Sequence, residues 1–167
     1  MADYRYLLTR TVDPLLASTG PTLLFVMLNP STADERVDDP TIRRCAGFAR
    51  REKASLFQVI NLFALRSTDP VGLLLDRNNI PVADPVGERN DEMILRSLRQ
   101  SAQRVVCAWG ANDFEITKTR VRRFAELHAE AGSPPLWCLG LSQKGAPRHP
   151  LFVKADQPLV SFEVTRG

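Results

Sequence analysis

Apolar runs punctuate the chain, and several of them give way abruptly to polar loops. Leu23 to Leu28 is six consecutive apolar residues running into Asn29-Pro30-Ser31-Thr32. A continuous run of this kind predicts a strand buried on both faces. Pro30 ends it, because proline has no N–H to offer a ladder. Ser55 to Leu62 and Arg104 to Trp109 predict two more buried strands, the first carrying Asn61 near its end and the second closed by Gly110. Tyr4 to Thr11 predicts a first strand, Leu136 to Leu141 a fourth buried one, and Leu159 to Val164 a last.

Between these runs the period lengthens. After Asp39-Pro40, an N-cap acid followed by proline at the first helical position, Ile42, Cys45, Ala46 and Ala49 recur at helical spacing. Phe48 falls off that stripe by roughly a third of a turn. Asp91, Ile94, Leu95, Leu98 and Ala102 predict a helix within 88–102. Phe114, Val121, Phe124, Ala125 and His128 predict another within 113–131, with Ile116 and Leu127 off its stripe and Lys118, Arg120, Arg122 and Arg123 largely elsewhere. The stretch 70–86, rich in Asp, Asn and Pro, reads as a long loop with a short leucine-rich helix. Strands alternating with helices predict a three-layer α/β/α domain with a mostly parallel central sheet. The 167 residues fit a single domain, 1–167. In such sheets ligands bind at the rim formed by the loops after the strands' carboxyl ends.

Composition narrows the class without naming it. A hydrophobic fraction of 44% and a charged fraction of 25% are those of a soluble globular protein. A net charge of +3 permits a nucleic-acid partner and does not require one. Cys45, Cys107 and Cys138 are scattered and form no C-x-x-C pair, so no metal site is expected. No apolar run reaches the length of a membrane span and no signal peptide opens the chain, so the expected compartment is the cytoplasm.

Three polar stations follow predicted strands: Asn29, Asn61 and His149. No G-x-G-x-x-G, G-x-x-x-x-G-K-[ST] or G-x-S-x-G is present, which argues against dinucleotide, P-loop and α/β-hydrolase chemistry. His149 lies in the loop Lys144-Gly145-Ala146-Pro147-Arg148-His149-Pro150, where a chemical role and an idle surface position weigh equally. Asp34, Asp38 and Asp39 are carboxylates near the first station, though acids there also suit a helix N-terminus.

The motifs LNPSTAD (28–34), DDPTIRRC (38–45), NLFALR (61–66), DPVGxxND (84–91), VCAWG (106–110) and PRHPL (147–151) together resemble a bacterial and phage family known as a domain of unknown function. More distantly, the three stations are similar to the uracil-DNA glycosylase superfamily. There an Asn-Pro or Asp-Pro loop positions the attacking water, an Asn at a later strand end reads the flipped base, and a His-Pro loop contacts the leaving base. Asn29-Pro30, Asn61 and His149-Pro150 match in that order, and Gly110 matches a glycine that commonly follows the third strand. The superfamily's usual glycine two places before the first station is Met27 here, and the serine that usually follows His-Pro is Leu151.

The resemblance implies a uracil-DNA-glycosylase-like fold and a DNA glycosylase that hydrolyses the N-glycosidic bond of a deaminated base, uracil, hypoxanthine or xanthine, in DNA repair. It implies Asn29 and His149 as the catalytic pair and Asn61 as the base reader, with Ser31 beside it. An aromatic ring, Phe48 or Phe63, is a candidate to stack on the base, and each is equally a plain core residue. Arg43, Arg44, Lys144 and Arg148 are candidate phosphate contacts, and Leu151 with Phe152 a candidate apolar wedge. The expected partner is single- or double-stranded DNA holding a damaged base; no cofactor and no metal is expected, and the chain is expected to be a monomer. Two rivals stand beside this: a nucleic-acid- or nucleotide-binding module without catalysis, and a hydrolase of free nucleotides or nucleosides.

Overall fold

The computed structural model describes residues 2–15, 19–31, 36–100 and 103–165. Six strands and three α-helices form in them: β1 (Leu8–Thr11), β2 (Thr22–Met27), α1 (Pro40–Arg51), β3 (Leu56–Asn61), α2 (Asn90–Leu98), β4 (Gln103–Cys107), α3 (Glu115–Glu130), β5 (Leu136–Cys138) and β6 (Val160–Phe162). Two 3₁₀ turns, Pro70–Leu73 and Pro150–Phe152, sit in the connecting loops.

The strands join one sheet in the order β1-β3-β2-β4-β5-β6. β3, β2, β4 and β5 run parallel, and each edge strand runs against its neighbour. The sheet is thus a mixed one, where the alternation of strands and helices predicts a mostly parallel one. The reason is local. No α-helix separates β5 from β6, and an antiparallel neighbour needs no helical crossover.

β2 is buried on both faces, as its unbroken apolar run requires. Leu23, Phe25 and Met27 enter one core with Ile42, Cys45, Phe48 and Ala49 of α1. Leu24, Val26 and Leu28 enter a second core with Ile94 and Leu98 of α2 and Phe124 and Leu127 of α3. Two positions are more buried than helical spacing predicts. Phe48 is 2% exposed, because the buried face of α1 is wider than a single stripe, and Leu127 is likewise in the core. Arg120 departs further: it is 7% exposed, on a helix where the cations are expected to face water. α1 begins where its sequence predicts. The Asp39 carboxylate accepts from the Ile42 N–H at 2.8 Å. β5 is shorter than 136–141, ending before Gly140, whose φ of +89° turns the chain. Cys45, Cys107 and Cys138 are free thiols, all buried. No helix among the described residues is long and apolar enough to cross a membrane.

Candidate functional site

A cavity of about 570 Å³ opens where β2, β3 and β4 end. That is within the usual range for small-molecule sites. Met27 and Asn61 are register partners, so the β2 and β3 ends lie side by side. Two further bonds, Leu62 N–H to the Met27 carbonyl and Phe63 N–H to the Leu28 carbonyl, both 2.9 Å, carry the pairing past Asn61. Asn29 is the first residue beyond it.

Asn29, Ser31, Asn61, Arg148, His149 and Leu151 all line this one cavity. The Asn29 amide is held by its own donors: Nδ2 reaches the Ser67 carbonyl at 2.8 Å and the Pro30 carbonyl at 3.1 Å. Oδ1 is the atom left to accept a hydrogen bond from an incoming group. Asn61 is 2% exposed, lines the cavity, and its side-chain amide has no hydrogen-bond partner among the described residues. Its amide carries both a donor and an acceptor for a ligand in the cavity to pair with.

His149 caps the Pro150–Phe152 turn, and its Nδ1 accepts from the Leu151 N–H at 3.1 Å. An accepting Nδ1 puts the proton of a neutral ring on Nε2. Burial pushes the His149 pKa below the ordinary 6.5, against the opposing pull of the Asp39 carboxylate. His149 therefore presents a neutral Nε2–H donor at neutral pH. Gly110 helps to hold this loop: its N–H donates to the Pro147 carbonyl at 2.9 Å, and its φ of +81° is one that a side chain rarely adopts.

The carboxylates near the first station are occupied. Asp39 accepts from Ile42 N–H with one oxygen and from the Ser31 hydroxyl with the other. Asp38 pairs with Arg10 at 2.8 Å. Asp34 lies outside the described residues, and among those described no Asp or Glu lines the cavity. Ser31 thus ties the Asn-Pro loop to the start of α1.

The remaining candidates sit elsewhere. Phe48 and Phe63 are both in the core and do not line the cavity; Arg44 and Arg51 stack over the Phe48 ring. The aromatic side chains at the cavity are Trp109, which is buried, and Phe152, 73% exposed beside His149, with Leu151 41% exposed next to it. Arg44 donates to the carbonyls of Pro150 and Val153, so it braces the His149 turn from α1. Arg43 is exposed and donates to the Asp38 carbonyl; Lys144 is exposed and paired with Asp113. Arg148 is exposed and donates to the Phe152 carbonyl at 2.9 Å.

Sequence reasoning missed Asn90. It is fully buried, and its Nδ2 donates to the carbonyls of Asn61 at 2.9 Å and Leu62 at 3.0 Å. The contact is 29 residues away in sequence, and only its place in the DPVGxxND motif marked it.

Fold and site together define an α/β protein with a cavity at the carboxyl ends of parallel strands, the place where such sheets bind ligands. Within that class, the chain belongs to the DUF1643 family, described as a protein of unknown function, whose family model matches residues 5–151. No curated protein and no solved structure matches the chain.

Proposed function

We propose that this protein is a DNA glycosylase of the uracil-DNA glycosylase type, with three layers around its sheet, that hydrolyses the N-glycosidic bond of a deaminated base. The observation that carries the reading is the meeting of Asn29, Asn61 and a neutral His149 in one cavity. A flipped nucleotide enters with its base against the Asn61 amide, which can pair with a base edge through both donor and acceptor. His149 Nε2–H donates to a carbonyl oxygen of the leaving base and stabilises the charge that grows there as the bond to C1′ breaks. Asn29 Oδ1 orients a water toward C1′. It has no basic group to take the water's proton, so the reaction leans on leaving-group departure and runs slowly. Leu151 and Phe152, exposed at the rim, supply an apolar wedge for the gap left in the stack, and Arg43, Lys144 and Arg148 supply phosphate contacts.

The test is base release from oligonucleotides carrying one uracil, hypoxanthine or xanthine, single-stranded and in every pairing, followed by alkaline cleavage of abasic sites. The expected result is cleavage at one of these bases, lowered on the order of 100-fold by His149→Ala and lowered strongly by Asn29→Ala. No cleavage at any of them with excess protein overturns the reading. The second reading, a binding module of the same fold, is favoured by the lack of a carboxylate among the described residues of the cavity. Tight binding of the same oligonucleotides without base release is its signature.

A further inference from the structure

The DPVGxxND motif (84–91) has no part in the chemistry above, yet it closes around the end of β3. β1 pairs with β3 only as far as Val59, so the backbone beyond needs other partners. Residues 3–5 supply some of them, with Arg5 N–H donating to the Ala64 carbonyl at 2.8 Å and Arg66 N–H to the Asp3 carbonyl at 2.9 Å, and the motif supplies others. Ala64 N–H donates to the Val86 carbonyl at 3.0 Å and Leu65 N–H to the Pro85 carbonyl at 3.1 Å. Asp84 folds the motif by accepting from the N–H groups of Val86 and Gly87 at 2.9 and 3.0 Å. Asn90 then donates to the carbonyls of Asn61 and Leu62, and Arg120 Nε reaches the Leu62 carbonyl at 2.8 Å from α3. Arg120 is itself held by Asp91 at 2.7 Å, and Asp91 also receives Arg123 at 2.8 Å.

One detail says what this arrangement is for. Asn90 Oδ1 is buried without a hydrogen-bond partner. A buried amide with an orphaned acceptor is costly, and an apolar residue would avoid that cost. What Asn90 provides instead is two donors, both spent on the backbone of the residue whose own amide faces the cavity and of its neighbour.

We propose that Asn90 and Arg120 are positioning residues for Asn61: they fix the carbonyls of Asn61 and Leu62, and so set the angle at which the Asn61 amide meets a ligand. The inference rests on the reading of Asn61 as the group that recognises the base. Asn90 and Arg120 touch no substrate; they act through Asn61 alone.

The experiment is a double-mutant cycle with a spectroscopic arm. Asn90→Ala and Arg120→Lys are each made in the wild-type and in the Asn61→Ala backgrounds, and folding is checked by thermal melting. Single-turnover base release is measured on the oligonucleotide that the wild type cleaves. Each substitution is expected to slow release by about 10- to 100-fold in the wild-type background, as small misplacements of a positioned group do. In the Asn61→Ala background each is expected to change the rate by no more than about 2-fold, because the group they act through is gone. Full losses in both backgrounds overturn the proposal. The second arm is the side-chain NH₂ signal of Asn61 in ¹H–¹⁵N spectra, assigned by its disappearance in Asn61→Ala. It is expected to move in both variants while the amide signals of Asn29 and Asn112 stay in place. An unmoved Asn61 signal overturns the proposal. Should the wild type release no base at all, the glycosylase reading falls, and the spectra alone decide the positioning role. Should Asn90→Ala fail to fold, Arg120→Lys, which keeps the charge facing Asp91, carries both arms.

Discussion

At the scale of one residue, the state of His149 rests on which nitrogen holds the proton. Protonating Nδ1 would break its bond from the Leu151 N–H. Burial acts in the same direction, holding the pKa below 6.5. The neutral ring is thus the folded protein's choice. Its contribution to stability is fully present above 6.5 and is lost as pH falls through the depressed folded value, because the unfolded chain takes up the proton first. The expected titration of the His149 ring, followed by the shift of its Cε1 proton, has its midpoint below 6.5. A midpoint above 6.5 would mean that the Asp39 carboxylate outweighs burial, and that the ring is an imidazolium where a neutral donor is proposed. Base release should lose activity on the acid side only below that same midpoint.

At the scale of elements, α2 and α3 are joined by a carboxylate between two guanidinium groups. Burial pushes the Asp91 carboxyl up, but hydrogen bonds from Arg123 and Arg120 overcome it and hold the group below its usual 3.8. Its contribution is present above 3.8 and lost as pH falls through the lowered folded value. In urea unfolding, wild type is expected to be more stable than Asp91→Asn by a constant margin from about pH 5 upward. That margin should shrink in acid; a margin that stays constant down to pH 2 would mean that the charge on Asp91 contributes nothing. What was legible in the sequence follows the same division between local and distant. The Asp39 cap and the ends of β2 and β3 are read correctly because cap, proline and apolar run are neighbours in the chain. Asn29 and Asn61 are visible as polar residues placed where strands stop, and His149 as a histidine in the Gly- and Pro-containing loop that follows β5. Arg120 and Arg44 are not, since an arginine on a helix looks solvated until its distant partner is known: Leu62 for the first, Pro150 and Val153 for the second. Phe48 falls off the stripe through Ile42, Cys45 and Ala49 yet is core, because that stripe is narrower than the face that α1 buries.

At the scale of the whole molecule, the net charge is only +3, and several arginines are engaged in internal contacts. Arg44 and Arg51 donate to backbone carbonyls of the 150–157 segment, Arg120 and Arg123 grip Asp91, and Arg10 pairs with Asp38. Of the four cations proposed for phosphate contact, Arg43, Lys144 and Arg148 remain exposed. Three contacts predict a log–log salt slope for DNA binding of about −2 to −3, measured by fluorescence anisotropy over a series of salt concentrations. A slope of −5 or steeper would require a basic surface that these residues do not form. Arg44→Ala, by contrast, is expected to lower the melting temperature and leave the slope unchanged, because its guanidinium braces the His149 turn.

The three cysteines give the molecule a built-in clock. Cys45 lies on the buried face of α1, while Cys107 and Cys138 are register partners on β4 and β5, so the thiols sample separate parts of the interior. None meets solvent in the folded state, and burial pushes the Cys45 and Cys107 thiols away from the reactive thiolate. A thiol-directed dye therefore cannot mark the native protein, and each modified cysteine records one opening of the region around it. Mass spectrometry of such a time course would date the loosening of the α1 layer and of the central strands separately, without any engineered label.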